Sequence, residues 1–337
     1  MSIEIKKLPK SEIEITGEMP AEEFSKFWQK AISELSKDAT IPGFRPGKVP
    51  EKVVVDKAGE GAVLDKAAEL AIRDIFPRII MERKLDVIGP PRAHVTKITK
   101  GGPLGYKFQA AVLPEVELAD NYREVAKKVF EKKEKIIVED REIDESLEYL
   151  RKMRTKAPTE QGKEGELPEL NDEFAKSVGK FETLVELRET VGENIRMEKE
   201  QKGKEKKRLE SLDAILKVSK IEVPDILIDS EKNKMLSELR GNVAGMGLKW
   251  EDYLKQVKKT EEEILNGWRE DALRRVNYGL LLRKMGEIFK PEISEKEIED
   301  MAAKFGSGSE NLDKERLKDY AYGIIRNEKI FKFLEEN

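Results

Sequence analysis

The chain has 337 residues, 39% charged and 38% hydrophobic, with a formal net charge of −4 and no cysteine. Such a length exceeds one compact core and predicts two or three domains, and the charge content favours amphipathic helices with much solvated surface. Disulfides, thiolate metal sites and cysteine nucleophiles are excluded, general nucleic-acid binding is disfavoured so that RNA contact needs a local basic patch, and no apolar run approaches the roughly 18 residues that span a bilayer.

Met1–Lys10 alternates apolar and polar residues and lacks the apolar core of a signal peptide, which predicts a cytoplasmic protein. Ile3 and Ile5, then Ile13 and Ile15, alternate with polar residues on either side of Pro9-Lys10-Ser11, the pattern of a two-stranded hairpin. Met19-Pro20 opens a helix with proline at its first position. Phe24, Phe27, Trp28, Ala31, Ile32 and Leu35 give that helix one apolar face.

Next comes Ile41–Pro50, Ile-Pro-Gly-Phe-Arg-Pro-Gly-Lys-Val-Pro. Gly43 and Gly47 take positive φ at little cost, and Pro42, Pro46 and Pro50 stiffen the turn. Phe44, Arg45 and Lys48 thus form a short tip with one ring and two cations. Either Phe44 folds back into the core of an ordinary helix–helix connection, or it meets a partner that combines apolar and phosphate patches. Glu51–Ala58 reads as a short helix and Gly61–Leu85 as a longer one, which Pro77 should kink or interrupt. Val87–Ile98 is β-like but broken by Gly89-Pro90-Pro91, and Gly101-Gly102 turns into a strand over Tyr106–Val112.

Gly43-Phe44-Arg45-x-Gly47-Lys48-x-Pro50 after a helix resembles the ribosome-docking signature of the bacterial trigger factors. Position 46 is Pro, where some members of that family carry a third cation. The resemblance implies a ribosome-binding domain over residues 1–113, a sheet with two flanking helices joined by the loop. It also implies ribosome-binding roles for Gly43, Phe44, Arg45, Pro46, Gly47 and Lys48.

Pro114–Leu118 reads as a charged extended exit, Tyr122–Val138 as a partly extended connector and Asp144–Met153 as a helix. Thr155–Leu167 is a polar linker. In full-length trigger factors an FK506-binding-protein-like prolyl isomerase domain, about 100 residues by ordinary domain size, lies between segments like Leu150-Arg151-Lys152 and Leu167–Ala175. Both flanks are present here with too little chain between them for a domain. Residues 114–166 are therefore expected to be connector and linker, and the chain is expected not to be an enzyme, with residual prolyl isomerase activity as the alternative.

From Phe174 onward the pattern is helical only. Thr183 with Glu186, Thr260 with Glu263 and Ser294 with Glu297 are capping boxes. The second opens one helix running through Trp268 to the cluster Leu280-Leu281-Leu282. Lys202–Arg208 is either an RNA patch or a solvated face interleaved with Glu. Gly306–Ser309 reads as a turn before a last helix over Leu317–Leu334. Tandem helices with single apolar stripes over residues 167–337 resemble the family's carboxy-terminal chaperone domain. The fold class is thus multidomain α+β: a sheet-plus-helices domain, then an extended all-α domain with helical arms.

The lone histidine, His94, makes no zinc site without cysteine, and no Walker loop occurs. No cofactor or metal is expected. The implied function is an ATP-independent chaperone that docks at the ribosome and shields polypeptide in a helical cradle. Its partners would be the large subunit near the exit tunnel, through ribosomal protein and RNA, and nascent and unfolded polypeptides, with no membrane and no DNA. A homodimer stays open. Met235, Met246, Trp250, Tyr253 and Trp268 are candidate client contacts, because Met and aromatic side chains adapt to varied partners, with arm core as their other reading.

Overall fold

The computed structural model describes residues 3–38, 44, 47, 49–132, 135–154, 167–306 and 313–336. It divides into two compact units, residues 1–117 with 220–284 and residues 118–219 with 285–337. Taken in chain order, β1 (Ile3–Leu8) and β2 (Glu12–Met19) form an antiparallel hairpin with Ile5 opposite Ile15. The turn holds Lys10 and Ser11 at φ of 60° and 51°. Helix α1 (Ala21–Asp38) follows, and Pro20 stands just outside it, its carbonyl accepting from the Phe24 N–H at 2.9 Å.

Helices α2 (Glu51–Ala58) and α3 (Glu60–Arg83) come next. Pro77 does not interrupt α3. One backbone bond is lost there, but Ala67, Ala68, Ala71, Ile75 and Ile79 bury the same face through that point. Strands β3 (Val87–Lys97) and β4 (Leu104–Val112) complete a sheet of order β1-β2-β4-β3. Gly89-Pro90-Pro91 does not break β3 but forms a register shift between Ile88 and Arg92. The position explains it: β3 is an edge strand, where proline forfeits no ladder bond on its open side. Ile15, Phe108, Leu104 and Tyr106 from the sheet meet Phe24, Trp28 and Ala31 of α1 and the buried face of α3 in one core.

After β5 (Val116–Glu117) the connector is helical over α4 (Tyr122–Phe130). Tyr122, Val125, Ala126, Val129 and Phe130 form a narrow apolar stripe that the surrounding charges obscure, and Ala126 is fully buried. Helices α5 (Asp140–Met153), α6 (Asp172–Val178) and α7 (Leu184–Val218) share a core of Leu147, Phe174, Ala175, Leu187 and Val191. Thr183 caps α7, but Glu186 reaches back to the Glu182 N–H at 2.8 Å, one residue earlier than a regular box. The basic run of α7 is ion-paired: Lys202 with Glu198 at 2.6 Å, Lys204 with Glu335 at 3.3 Å and Arg208 with Glu328 at 2.6 Å.

The tail is not helical throughout, since β6 (Lys220–Ile221) pairs with β5, Val116 facing Ile221. Helices α8 (Asp225–Gly245), α9 (Trp250–Val257), α10 (Glu261–Gly267) and α11 (Arg269–Phe289) follow. The capping box at Thr260 and Glu263 forms as expected, but the helix it opens ends at Trp268 and α11 begins anew. The strained hairpin turn is held against the start of α8. The Lys10 N–H donates to Glu222 at 2.8 Å, the Ser11 hydroxyl to the Glu222 carbonyl at 2.7 Å, and Lys10 Nζ pairs with Asp225 at 2.9 Å. These bonds offset a cost of roughly 1–2 kcal/mol for each left-handed residue. Helices α12 (Glu295–Gly306) and α13 (Lys314–Glu336) pack on each other. The Ser294–Glu297 box is present, and Glu297 also pairs with Lys329 at 2.7 Å. Residues 307–309 of the expected turn lie outside the described residues.

Candidate functional site: a loop neck and an arm tip

The loop between α1 and α2 is set by its neck. Apolar residues at 24, 28, 31 and 32 anchor α1 in the core, and Ser36 continues that face one turn later. Ser36 is 2% exposed. Its carbonyl accepts from the Gly47 N–H at 2.8 Å, and its hydroxyl accepts from the Val49 N–H at 3.1 Å. Gly47 has φ of +80°, and a Cβ there would come within 3.3 Å of Lys37 Cγ. A side chain at 47 would thus be strained and crowded at once.

The second leg is tied further along. The Trp28 Nε1–H donates to Glu51 at 2.8 Å and Gln29 to the other carboxylate oxygen at 3.3 Å. These two donors, Trp28 foremost, hold the Glu51 carboxyl below the usual range. Lys100 sits 5.1 Å over the Trp28 ring and pairs with Glu60 at 3.2 Å. Val49 is buried between the two ties. Phe44 is 41% exposed. Gly43, Arg45, Pro46 and Lys48 lie outside the described residues.

The second candidate set lies on α8–α11. A Schellman motif ends α8: the Gly247 N–H donates to Ala244 at 2.9 Å and the Leu248 N–H to Val243 at 3.1 Å, with Gly247 at φ +75°. Met246, at the end of α8, is 75% exposed, and Leu248 and Val257 nearby in sequence are also exposed. Trp250 and Tyr253 stack at 5.5 Å. Arg240 lies 5.2 Å from the Trp250 ring and pairs with Glu261, which also accepts from Trp250 Nε1 at 3.2 Å. Trp250 is therefore positioned by a cation, a carboxylate and a second ring. Met235 is buried in α8, and Trp268 is half-buried at the junction of α10 and α11. The sequence reading passed over Ser36 and Glu51. A serine on the apolar stripe four residues after Ile32 was the available signal for the first, while nothing local marks the second.

Among the described residues, no group of three or more His, Asp or Glu is placed to hold a metal. No described helix is long and apolar enough to cross a membrane. Residues 1–150 match the family model described as bacterial trigger factor protein, and residues 183–335 the one described as its C-terminus. A curated trigger factor from Caldicellulosiruptor bescii is 26% identical over 434 aligned positions that cover 100% of this chain and 97% of that protein. At least 97 of those positions carry no residue of this 337-residue chain. A trigger factor from Clostridium tetani is 22% identical, covering 100% of the chain and 99% of the relative. A solved structure, described under promiscuous substrate recognition in folding and assembly activities of the trigger factor chaperone, aligns with a TM-score of 0.56. It is 18% identical over the full length of both chains, a likeness of fold.

Proposed function

The chain belongs to the bacterial trigger factor family, and we propose that it works as an ATP-independent chaperone docked at the ribosome exit site. The observation that carries the proposal is the pair of family matches, one at each end of the chain. The neck at Ser36 and Glu51 supports it, because it holds a loop whose Phe44 stands exposed. Phe44 supplies an apolar contact, and Arg45 and Lys48 supply phosphate or carboxylate contacts on ribosomal RNA and protein. Emerging polypeptide is covered by the helices of residues 167–337. Exposed apolar side chains such as Met246 contribute about 25 cal/mol per Å² buried. Each such contact is small, so release needs no nucleotide. The site of action is the cytoplasm.

The same reading assigns no appreciable prolyl isomerase activity. Residues 151–182 lie between the two matched segments, and an isomerase domain of ordinary size, about 100 residues, does not fit there. Co-sedimentation of the full chain with ribosomes tests docking, and suppression of client aggregation without ATP tests the chaperone role. A chain that stays in the supernatant at low salt overturns the first. Catalysed relaxation of an Xaa-Pro peptide overturns the exclusion of isomerase activity.

A further inference from the structure

We infer that the solvent face of α1 is a second contact surface for the ribosome, one that grips ribosomal RNA phosphates beside the docking loop. The inference rests on the docking role proposed above. Helix α1 turns Phe24, Phe27, Trp28, Ala31 and Ile32 inward. Its opposite face carries Lys26, Lys30, Ser33 and Lys37, all exposed. At 3.6 residues per turn these four positions fall within about 60° of one another, and Lys26 and Lys37 are about 16 Å apart along the axis. The carboxylates that border that face are Glu22 and Glu23 in the first turn and Glu34 further along, and of these Glu23 is paired with Arg78 and Glu34 with Lys66. Among the described residues none of the three lysines is ion-paired. Lys30 lies 4.8 Å over the Phe27 ring, which leaves its N–H donors free for an outside acceptor. The stem of Lys37 lies against Gly47 at the loop neck, so the cationic row runs into the loop that carries Arg45 and Lys48.

The contrast with α7 sharpens the point. Its basic run is denser in the sequence, yet Lys202, Lys204, Lys206 and Arg208 are held by Glu198, Glu335, Glu210 and Glu328 of the same unit, and Lys207 by the Lys132 carbonyl. Charge already matched by carboxylates attracts a polyanion weakly, whereas the α1 row has no carboxylate partner among the described residues. The chemistry of the face selects RNA over protein. Lys, Gln and Ser alternate there with no apolar residue among them. Protein–protein interfaces deplete lysine and centre on aromatic or Met anchors, while nucleic-acid interfaces are polar and cationic. Lysine ammonium groups bind phosphates as point charges and displace condensed counterions, so such a contact is sensitive to salt.

The test is ribosome co-sedimentation of the full chain across a salt series, with Lys26→Gln, Lys30→Gln and Lys37→Gln combined and with Phe44→Ala alone. Three lost phosphate contacts should flatten the log–log salt slope by about 2 and weaken binding roughly 10- to 100-fold near 0.1 M salt. Thermal melting of the triple variant should match the parent, since all three side chains are on the surface. Parental affinity and slope in the triple variant, with Phe44→Ala still impaired, would overturn the α1 contact and leave the loop's role standing. A parent that does not sediment, or a Phe44→Ala variant that sediments like the parent, would instead strike at the docking proposal, and the α1 contact would fall with it. Because the chain has no cysteine, Ser33→Cys can carry a single photo-crosslinker at the middle of the row. Crosslinks to ribosomal RNA support the assignment, and crosslinks confined to ribosomal protein, or none, refute it.

Discussion

Replacing Ser36 by Ala isolates the neck of the loop. The change removes the oxygen that accepts the Val49 N–H at 3.1 Å and leaves the carbonyl bond to Gly47 intact. Ser36 and Val49 are 2% and 8% exposed, so little solvent reaches the bond. The Val49 N–H is then buried and unpaired, a cost of about 1–3 kcal/mol. For a cooperative unit of 150–250 residues each kcal/mol shifts Tm by about 2–4 °C, so a loss of roughly 2–12 °C is expected. Two measurements make the outcome specific. Hydrogen exchange should show the Val49 amide losing protection while the amides of β4 keep theirs. Ribosome affinity should fall although no residue at the tip has changed, and Ser36→Thr, which keeps the oxygen, should recover much of it. A melt and a Val49 exchange rate equal to the parent's would show that the hydroxyl does not hold the neck.

Lys48→Ala should flatten the salt dependence of ribosome binding by about one contact, whereas Phe44→Ala should lower affinity at nearly constant slope; equal slopes in both would refute the division of labour at the tip. Glu297 is held down to about 2 by Lys329 first and then by the Ser294 backbone and hydroxyl donors. Its folded pKa lies below its unfolded value, so its stabilisation of the α12–α13 pair is full above about pH 4.5 and is lost as pH falls toward 2. Glu297→Gln should therefore lower Tm at pH 7 and make a much smaller difference at pH 2, and a constant offset across that range would contradict the assignment. Gly89 sits at φ +71° with a Cβ position 2.1 Å from Ile226 Cδ1. Gly89→Ala should destabilise by strain plus clash, and adding Ile226→Ala should relieve the clash alone; two fully additive losses would show that the contact is absent.

Local chemistry was legible in the sequence. The apolar stripe of α1, the hairpin of Ile5 and Ile15, and the boxes at Thr260 and Ser294 each depend on residues a few positions apart, whose geometry follows from 3.6- and 2-residue periods. The family-like motif was equally visible as a string, from Gly43 to Pro50. Partners distant in the chain were not legible. Only the fold sets Lys10 against Asp225, Trp28 against Glu51 and Lys204 against Glu335. It likewise pairs β5 with β6 across about a hundred residues and makes a helix of the charged connector at Tyr122–Phe130. The two basic stretches show why. Lys202–Arg208 looks cationic in sequence, yet Lys202, Lys204, Lys206 and Arg208 meet carboxylates in space, while Lys26, Lys30 and Lys37 look unremarkable in sequence and have no ion-pair partner among the described residues. A side chain's charge is written in the chain, but the field around it is the sum over every group the fold brings within a few ångströms, and that sum exists only once the chain has folded.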